Sequence, residues 1–217
     1  MNNRVPYVLN IGSGSINLDR FNYARMVVHL DSCYRSSISM SAEEVEKFYT
    51  ELDDKLDDKL ETKHVLCNSD VFEFIERFPF KFHEVYAERI FEHMEFASGQ
   101  IGRLLEGINR ITTDETVLNI VVPNMALIAQ MILDYEQNNS SYTPVELTNR
   151  KLIINTECHN IRQDPHLSSW TPSLAKEYIE GEGTWKISQI VPKTNFAGRD
   201  IYMWIQCIKT YKDKQGE

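Results

Sequence analysis

Apolar positions along the chain follow two rhythms. Short, nearly continuous apolar runs at Tyr7–Ile11, Met26–Asp31, His64–Asn68, Glu84–Arg89 and Val117–Val122 have the length and β-branched content of buried strands. Between the second and third runs the period changes: over Ala42–Glu61 the residues Val45, Phe48, Tyr49, Leu52, Leu56 and Leu60 recur on one helical stripe. Ser41 with Glu44 three residues on makes a capping box for that helix. Further helices are predicted over Asp70–Phe78, Ser98–Ile111 and Asn124–Gln137, with Pro79 and Pro123 marking boundaries. Strands alternating with helices predict an α/β fold with a mostly parallel sheet and helices on both faces. After the polar stretch Asn138–Pro144 the character shifts. Leu152–Glu157 reads as an added strand and Pro172–Glu180 as a helix. Thr184–Val191 and Ile201–Ile208 read as a hairpin through Asn195 and Gly198 that closes a sheet of about seven strands antiparallel.

A chain of 217 residues that is 42% hydrophobic can bury one sizeable core, so a single domain is expected across 1–217. No apolar run reaches membrane-spanning length, and Met1-Asn2-Asn3-Arg4 leads into a strand rather than a leader. Four scattered cysteines without a CxxC pair fit free thiols in a reducing cytoplasm. The formal net charge of −9 works against duplex nucleic acid as a partner, because such binding draws on Lys and Arg neutralising phosphates. Asn and Ile richness points to an AT-rich source such as a phage or a low-GC bacterium. Oligomeric state is left open, a homodimer included.

Candidate chemistry concentrates at the first strand. Gly12 allows a sharp turn at its carboxyl end, and Gly14 allows backbone to approach a ligand closely. Asp31, nineteen residues after Gly12, ends the second strand where a carboxylate can accept both hydroxyls of an adenosine ribose. A dinucleotide fingerprint requires a third glycine at position 17, which is Asn17, and no GxxxxGK[ST] phosphate loop occurs. Without a phosphate cradle, S-adenosyl-L-methionine is the adenosine ligand these residues suit best.

The stretches VLNIGSGS, VVHLD, CNSDVFEFI, KFHEVYAERIFEHM and VLNIVVPN, in this order, resemble the class I S-adenosylmethionine-dependent methyltransferases, in particular their small-molecule branch with an LNxGxG first motif. The resemblance spans about Tyr7 to Asn124 and, more weakly, the tail with its terminal hairpin. It implies a Rossmann-like fold with 4–137 as cofactor-binding core and 138–217 as an acceptor-side insertion and terminal hairpin. It also implies that Asn10, Gly12 and Gly14 shape the turn around the methionine moiety, that Asp31 holds the ribose and that Asp70 accepts the adenine amino group. Ala87 to Arg89, Glu88 included, would line the pocket beneath the sulfonium. Glu92-His93 matches the Glu-His pair found after the fourth strand in many members. Two positions depart from the pattern: His83 stands where an Asp usually begins the fourth strand, and Ser15 where the fuller motif has a glycine.

His93 is the first candidate for acid-base work, since a neutral imidazole can take a proton near pH 7; Glu92 is expected to orient a neighbour. Asp70 has a second available role as N-cap of the helix it precedes. The segment Asp164–Pro172 is rich in hydrogen-bonding and stacking groups and suits one wall of an acceptor pocket, with His166 as a third catalytic candidate, although Thr171 and Pro172 equally suit a helix start. Cys158, His159 and His166 match no zinc spacing. The tetrapeptide by which amino-methylating DNA enzymes hold a flipped base is absent, since the fifth strand ends in Val122-Pro123-Asn124. A small-molecule or sugar- or nucleotide-like acceptor is therefore expected. The rivals are a methyltransferase-like subunit that binds without catalysing and a nicotinamide or nucleotide-sugar enzyme on the same sheet, the latter disfavoured by Asn17.

Overall fold

The computed structural model describes residues 6–12, 18–32, 39–53, 62–137, 167–193 and 201–210. Its strands are β1 (Tyr7–Ile11), β2 (Met26–Leu30), β3 (Lys63–Cys67), β4 (Phe82–Glu88), β5 (Thr112–Pro123), β6 (Trp185–Lys193) and β7 (Tyr202–Lys209). Its helices are α1 (Ala42–Asp53), α2 (Val71–Arg77), α3 (Gln100–Arg110), α4 (Met125–Glu136) and α5 (Pro172–Gly181). The strands form one seven-stranded sheet in the order β3-β2-β1-β4-β5-β7-β6. Pairings from β3 through β5 are parallel, and β7 runs antiparallel to both β5 and β6. The expected α/β, Rossmann-like sheet with its antiparallel end is thus present. The predicted added strand at Leu152–Glu157 and the hairpin connection through Asn195 and Gly198 lie outside the described residues, as do Leu56 and Leu60 of the α1 stripe.

Local chemistry accounts for the element ends. Ser41 and Glu44 close the capping box, with Ser41 N donating to Glu44 Oε2 at 2.7 Å and Glu44 N to Ser41 Oγ at 3.3 Å. Asn124 Oδ1 accepts from Leu127 N to start α4, and Thr171 Oγ1 accepts from Leu174 N ahead of Pro172 in α5. Two boundaries differ from the sequence expectation. α3 begins after Gly99, whose φ of 72° breaks the chain before Gln100, so Ser98 lies outside the helix. β5 starts five residues early, at Thr112: a register shift between Phe82 and Glu84 absorbs the polar Thr113–Glu115, and Thr116 Oγ1 donates to Phe82 O at 2.9 Å. A bulge of this kind breaks the apolar run from which strands are read.

The two faces of the sheet are unequal. Residues two apart in a strand share a face, and Leu9, Ile11, Val28, Leu30, Val85, Ala87, Leu118 and Ile120 all enter the main core with side chains from α1, α2, α3 and α5. Aromatics thicken this core at one end, where Tyr49 stacks on Phe80 at 4.3 Å and Phe74 on Phe78 at 4.7 Å. The opposite face carries a smaller cluster of Val8, Phe21, Ala24, Val27 and Tyr86. Between β1 and β2 a 3-10 turn, Leu18–Phe21, supplies Phe21 to that cluster. Around it the same face is polar: Asn10, His29, Glu84, Glu88 and Asn119 alternate with the apolar positions. Glu84 accepts from Tyr23 Oη at 2.5 Å and Tyr86 Oη at 2.7 Å, and Asn119 Oδ1 accepts from Trp204 Nε1 at 3.0 Å. α4 packs elsewhere, its Ile128 and Met131 meeting Ile201 in a third cluster.

Candidate functional site

The chain leaves β1 toward β2 and β3 on one side and returns to β4 on the other, so the order of strands reverses between β1 and β4. Open α/β sheets bind ligands at such a switch point, outside the carboxyl ends of the strands. Register brings the predicted residues to this edge: Ile11 lies opposite both Leu30 and Ala87, which places Gly12, Asp31 and Glu88 at neighbouring strand ends. Gly12 N donates to Leu30 O at 2.9 Å, and Asp31 N to Cys67 O at 3.1 Å.

Two left-handed residues meet here. Gly12 has φ 68°, and a Cβ on it would stand 2.7 Å from Glu88 O and 3.7 Å from Arg89 O, so no other residue fits without moving the end of β4. Arg89 has φ 56°, the one positive φ among the described non-glycine residues, while its N donates to Val121 O at 3.0 Å. Backbone held in this region by a non-glycine residue costs about 1–3 kcal/mol and concentrates at functional elbows.

The remaining predicted residues take distinct places. Asn10 is buried, its Nδ2 lies 3.2 Å from His29 Nδ1, and its Oδ1 has no hydrogen-bond partner. His29 in turn meets His64 at 3.0 Å, and burial followed by the neighbouring His64 pushes the His29 imidazole down to about 4. Asp70 is an N-cap: its Oδ1 accepts from Phe72 N at 2.9 Å and Glu73 N at 3.2 Å, so the capping role foreseen for it is realised. Ala87 is fully buried within the main core rather than exposed to the mouth. Gly14 and His166 lie outside the described residues, as do Cys158 and His159. His83, at the position that departs from the family pattern, accepts from Tyr7 N through Nδ1 at 3.2 Å at the opposite end of β4.

Glu92 and His93 sit on a 3-10 turn, Phe91–His93, directly after the Arg89 elbow. Glu92 has no exposed surface, and neither carboxylate oxygen has a hydrogen-bond partner. Burial pushes its carboxyl up to about 8, against the opposing pull of its own backbone and of Arg89. Leu167 N and Ser168 N both donate to Glu92 O, at 2.8 and 3.1 Å, while Ser168 Oγ donates to Phe91 O and accepts from Trp170 Nε1. The Leu167–Trp170 segment is therefore fastened to this turn, while Asp164, Pro165 and His166 lie outside the described residues.

Glu88 takes a role that nothing in the sequence marks. Its Oε1 accepts from Arg20 Nη1 and from Lys193 Nζ, the latter at 2.6 Å. Burial raises this carboxyl, but the hydrogen bonds from Lys193 and Arg20 outweigh burial and hold it below its ordinary value. The three residues are 68 and 105 positions apart, so only the fold brings them together. Among the described residues no group of three His, Cys, Asp or Glu side chains is placed to hold a metal ion, and no helix is long and apolar enough to cross a membrane. A cavity of ≈ 350 Å³ between α5 and β6, lined by Lys176 and Glu180 among others, lies on the edge strand, away from the switch point.

No family model matches the chain. No curated protein matches it either. Solved structures do. The 1,6-didemethyltoxoflavin-N1-methyltransferase of Burkholderia thailandensis, solved with 1,6-didemethyltoxoflavin and S-adenosylhomocysteine, superposes with a TM-score of 0.57 at 14% identity, covering 95% of this chain and 72% of that one. The mitomycin 7-O-methyltransferase MmcR gives 0.52 at 13% identity over 95% of this chain and 49% of that one. An O-methyltransferase of neocarzinostatin biosynthesis, in complex with S-adenosylmethionine and 2-hydroxy-5-methyl naphthoic acid, gives 0.51 at 10% over 95% and 49%. The chain spans about half the length of the last two. At these identities the likeness is one of fold: the seven-stranded sheet of this chain has the architecture of S-adenosylmethionine-dependent methyltransferases.

Proposed function

We propose that this chain transfers a methyl group from S-adenosyl-L-methionine to a small-molecule acceptor. The observation that carries this reading is the abutment of two left-handed residues, Gly12 and Arg89, at the switch point, with Asp31 at the adjacent strand end. The residues suit the cofactor. Gly12 keeps open a space that a Cβ would fill, and Asn10 Oδ1 is a buried acceptor without a partner. Asp31 would accept the ribose hydroxyls, Gly12 and Asn10 would bound the amino-acid tail, and Asp70 would offer its second oxygen to the adenine, its first being committed to α2. Gly14, outside the described residues, would share in shaping that turn. When bound, the cofactor supplies an electrophilic methyl group on a sulfonium.

The chain's own contribution is then chiefly positioning, because displacement at a methyl carbon gains most from alignment of the reacting atoms. His93 would take a proton from an acceptor that must lose one. Glu92 would stand beside it as a neutral carboxylic acid at pH 7, since its raised value lies above that pH. Leu167–Trp170 would keep water from the turn, and His166 stays a catalytic candidate on sequence grounds; in this reading 138–217 forms the acceptor side of one domain and 4–137 the cofactor side. The small acceptors named for two of the similar structures support a small acceptor here.

Calorimetric titration with S-adenosylhomocysteine tests the reading. Micromolar binding, weakened at least about tenfold (~1.4 kcal/mol) by Asp31→Ala, is the expected result. Absence of binding at several hundred micromolar, with the protein folded by circular dichroism, would leave the non-catalytic subunit as the reading, which the commitment of Asp70 to the α2 cap favours.

A further inference from the structure

Arg20 and Lys193 approach Glu88 from different parts of the fold. Arg20 lies on the 3-10 turn between β1 and β2, and Lys193 is the last residue of β6, yet both donate to the same oxygen, Oε1. Two cations thus share one carboxylate oxygen at the end of β4, beside Gly12 and the Arg89 elbow. The Arg20 guanidinium carbon lies 4.2 Å from the centre of the Tyr86 ring and 5.3 Å from that of Phe21, so both rings help to hold the side chain in place. A guanidinium carries five N–H donors and an ammonium three. Among the described residues Glu88 is the one acceptor for either group, so most of these donors remain for another oxygen ligand. The side chains are neither buried nor free: 31% of Arg20 and 36% of Lys193 is exposed, against 24% of Glu88. A second anion can therefore reach them from the open side. The cluster is cationic in a chain of net charge −9, whose surface otherwise repels such a ligand.

We propose that Arg20 and Lys193 form a binding site for an anionic group, a carboxylate or a phosphate, carried by the acceptor. Glu88 shows the geometry: its carboxylate occupies one side of the two cations, and the acceptor's anion takes the other. This rests on the methyl-transfer reading for its role, because the site lies at the mouth where the acceptor must meet the cofactor. Anchoring the acceptor by its charge would orient the atom to be methylated without any contact to that atom.

The test is calorimetric titration of the full chain at low ionic strength with benzoate and, separately, inorganic phosphate, each with and without S-adenosylhomocysteine. Millimolar binding of one probe is expected, and the preferred probe tells a carboxylate from a phosphate acceptor. Arg20→Gln and Lys193→Gln should each weaken it by about tenfold, Lys193→Arg should retain it within about threefold, and Glu88→Gln should tighten it by removing the competing carboxylate. Added salt should weaken binding in the wild type. Failure of both probes to bind, or binding that Lys193→Gln leaves unchanged, overturns the proposal. S-adenosylhomocysteine binding without anion binding sinks this site and leaves the methyl-transfer reading standing. Anion binding with the expected variant pattern, but no S-adenosylhomocysteine binding, keeps the anion site and sinks that reading.

Discussion

Replacing Glu92 by glutamine should stabilise the protein at neutral pH. The side chain has no exposed surface and neither oxygen has a partner, so its ionised form loses hydration without replacement. The folded-state value near 8 stands against an ordinary 4.5. Between those values the folded chain binds a proton that the unfolded chain releases, so stability falls as pH rises from 4.5 and the loss is complete above 8. At pH 7 the interval is about 2.5 pH units, which at 1.36 kcal/mol per unit is about 3 kcal/mol. An amide is uncharged and close in shape to the protonated acid, so Glu92→Gln removes this slope and leaves the packing. For a chain of this size ~3 kcal/mol corresponds to a rise in Tm of roughly 6–12 °C. Urea midpoints of both proteins should be measured at pH 5, 6, 7 and 8. The expected pattern is a difference near zero at pH 5 that widens to pH 8. Parallel curves would refute the reasoning and mean that the carboxyl finds a partner or water. Titration of His29 occurs in both proteins and cancels from the difference.

His29 has the opposite sign. Its folded value of about 4 lies below the ordinary 6.5, so it contributes stability that is present above pH 6.5 and is lost as pH falls toward 4; the full loss is about 3 kcal/mol, and the ring's proton shift in an NMR titration should show a midpoint near pH 4. Gly12→Ala places a Cβ 2.7 Å from Glu88 O in a left-handed conformation and should cost roughly 2–4 kcal/mol together with S-adenosylhomocysteine binding. Gly107→Ala is its control, since a Cβ there meets Ile75 Cδ1 at 2.3 Å inside the α2–α3 contact: a cost of about 1–3 kcal/mol in thermal melts with binding intact. Asp70→Ala should lose the α2 cap at about 1 kcal/mol while Asp70→Asn keeps it, so a loss of S-adenosylhomocysteine affinity in the asparagine variant would isolate the carboxylate's contact with the ligand.

The strand–helix alternation was legible because the central strands are buried on both faces and read as continuous apolar runs: all five residues of β1 and of β2 are buried. β5 was legible only from Val117, where its apolar run begins, because the first five residues of the strand are mostly polar and pass a register shift. Gly12 and Asp31 were legible as a turn and a strand-end carboxylate, since both depend on chain order near one strand. Arg89 could not be read, because left-handed backbone at an arginine leaves no signature in residue type. Arg20 and Lys193 escaped for a different reason: an ion cluster between residues 68 and 105 positions apart from Glu88 exists only once β4 and β6 lie in one sheet. Nor does sequence reveal that Glu88 is ion-paired while the Glu92 carboxylate is buried without a hydrogen-bond partner.

That last difference has chemical content. Glu88 and Glu92 are four residues apart on either side of the Arg89 elbow, and the fold drives their acidities in opposite directions. The cations Lys193 and Arg20 keep Glu88 ionised, while burial without partners keeps Glu92 protonated at neutral pH. The end of β4 and the turn that follows it therefore carry one fixed negative charge and one neutral acid, an arrangement that two exposed glutamates cannot hold. Opposed acidities in adjacent carboxyls are the usual means by which a site assigns separate electrostatic and proton-carrying roles. Here the negative charge is already engaged by two cations, so a proton leaving an acceptor has no outlet at Glu88. The neutral Glu92 has no capacity to accept one either. The base proposed for an acceptor that must lose a proton is therefore neither carboxyl but His93, which follows Glu92 on the same 3-10 turn.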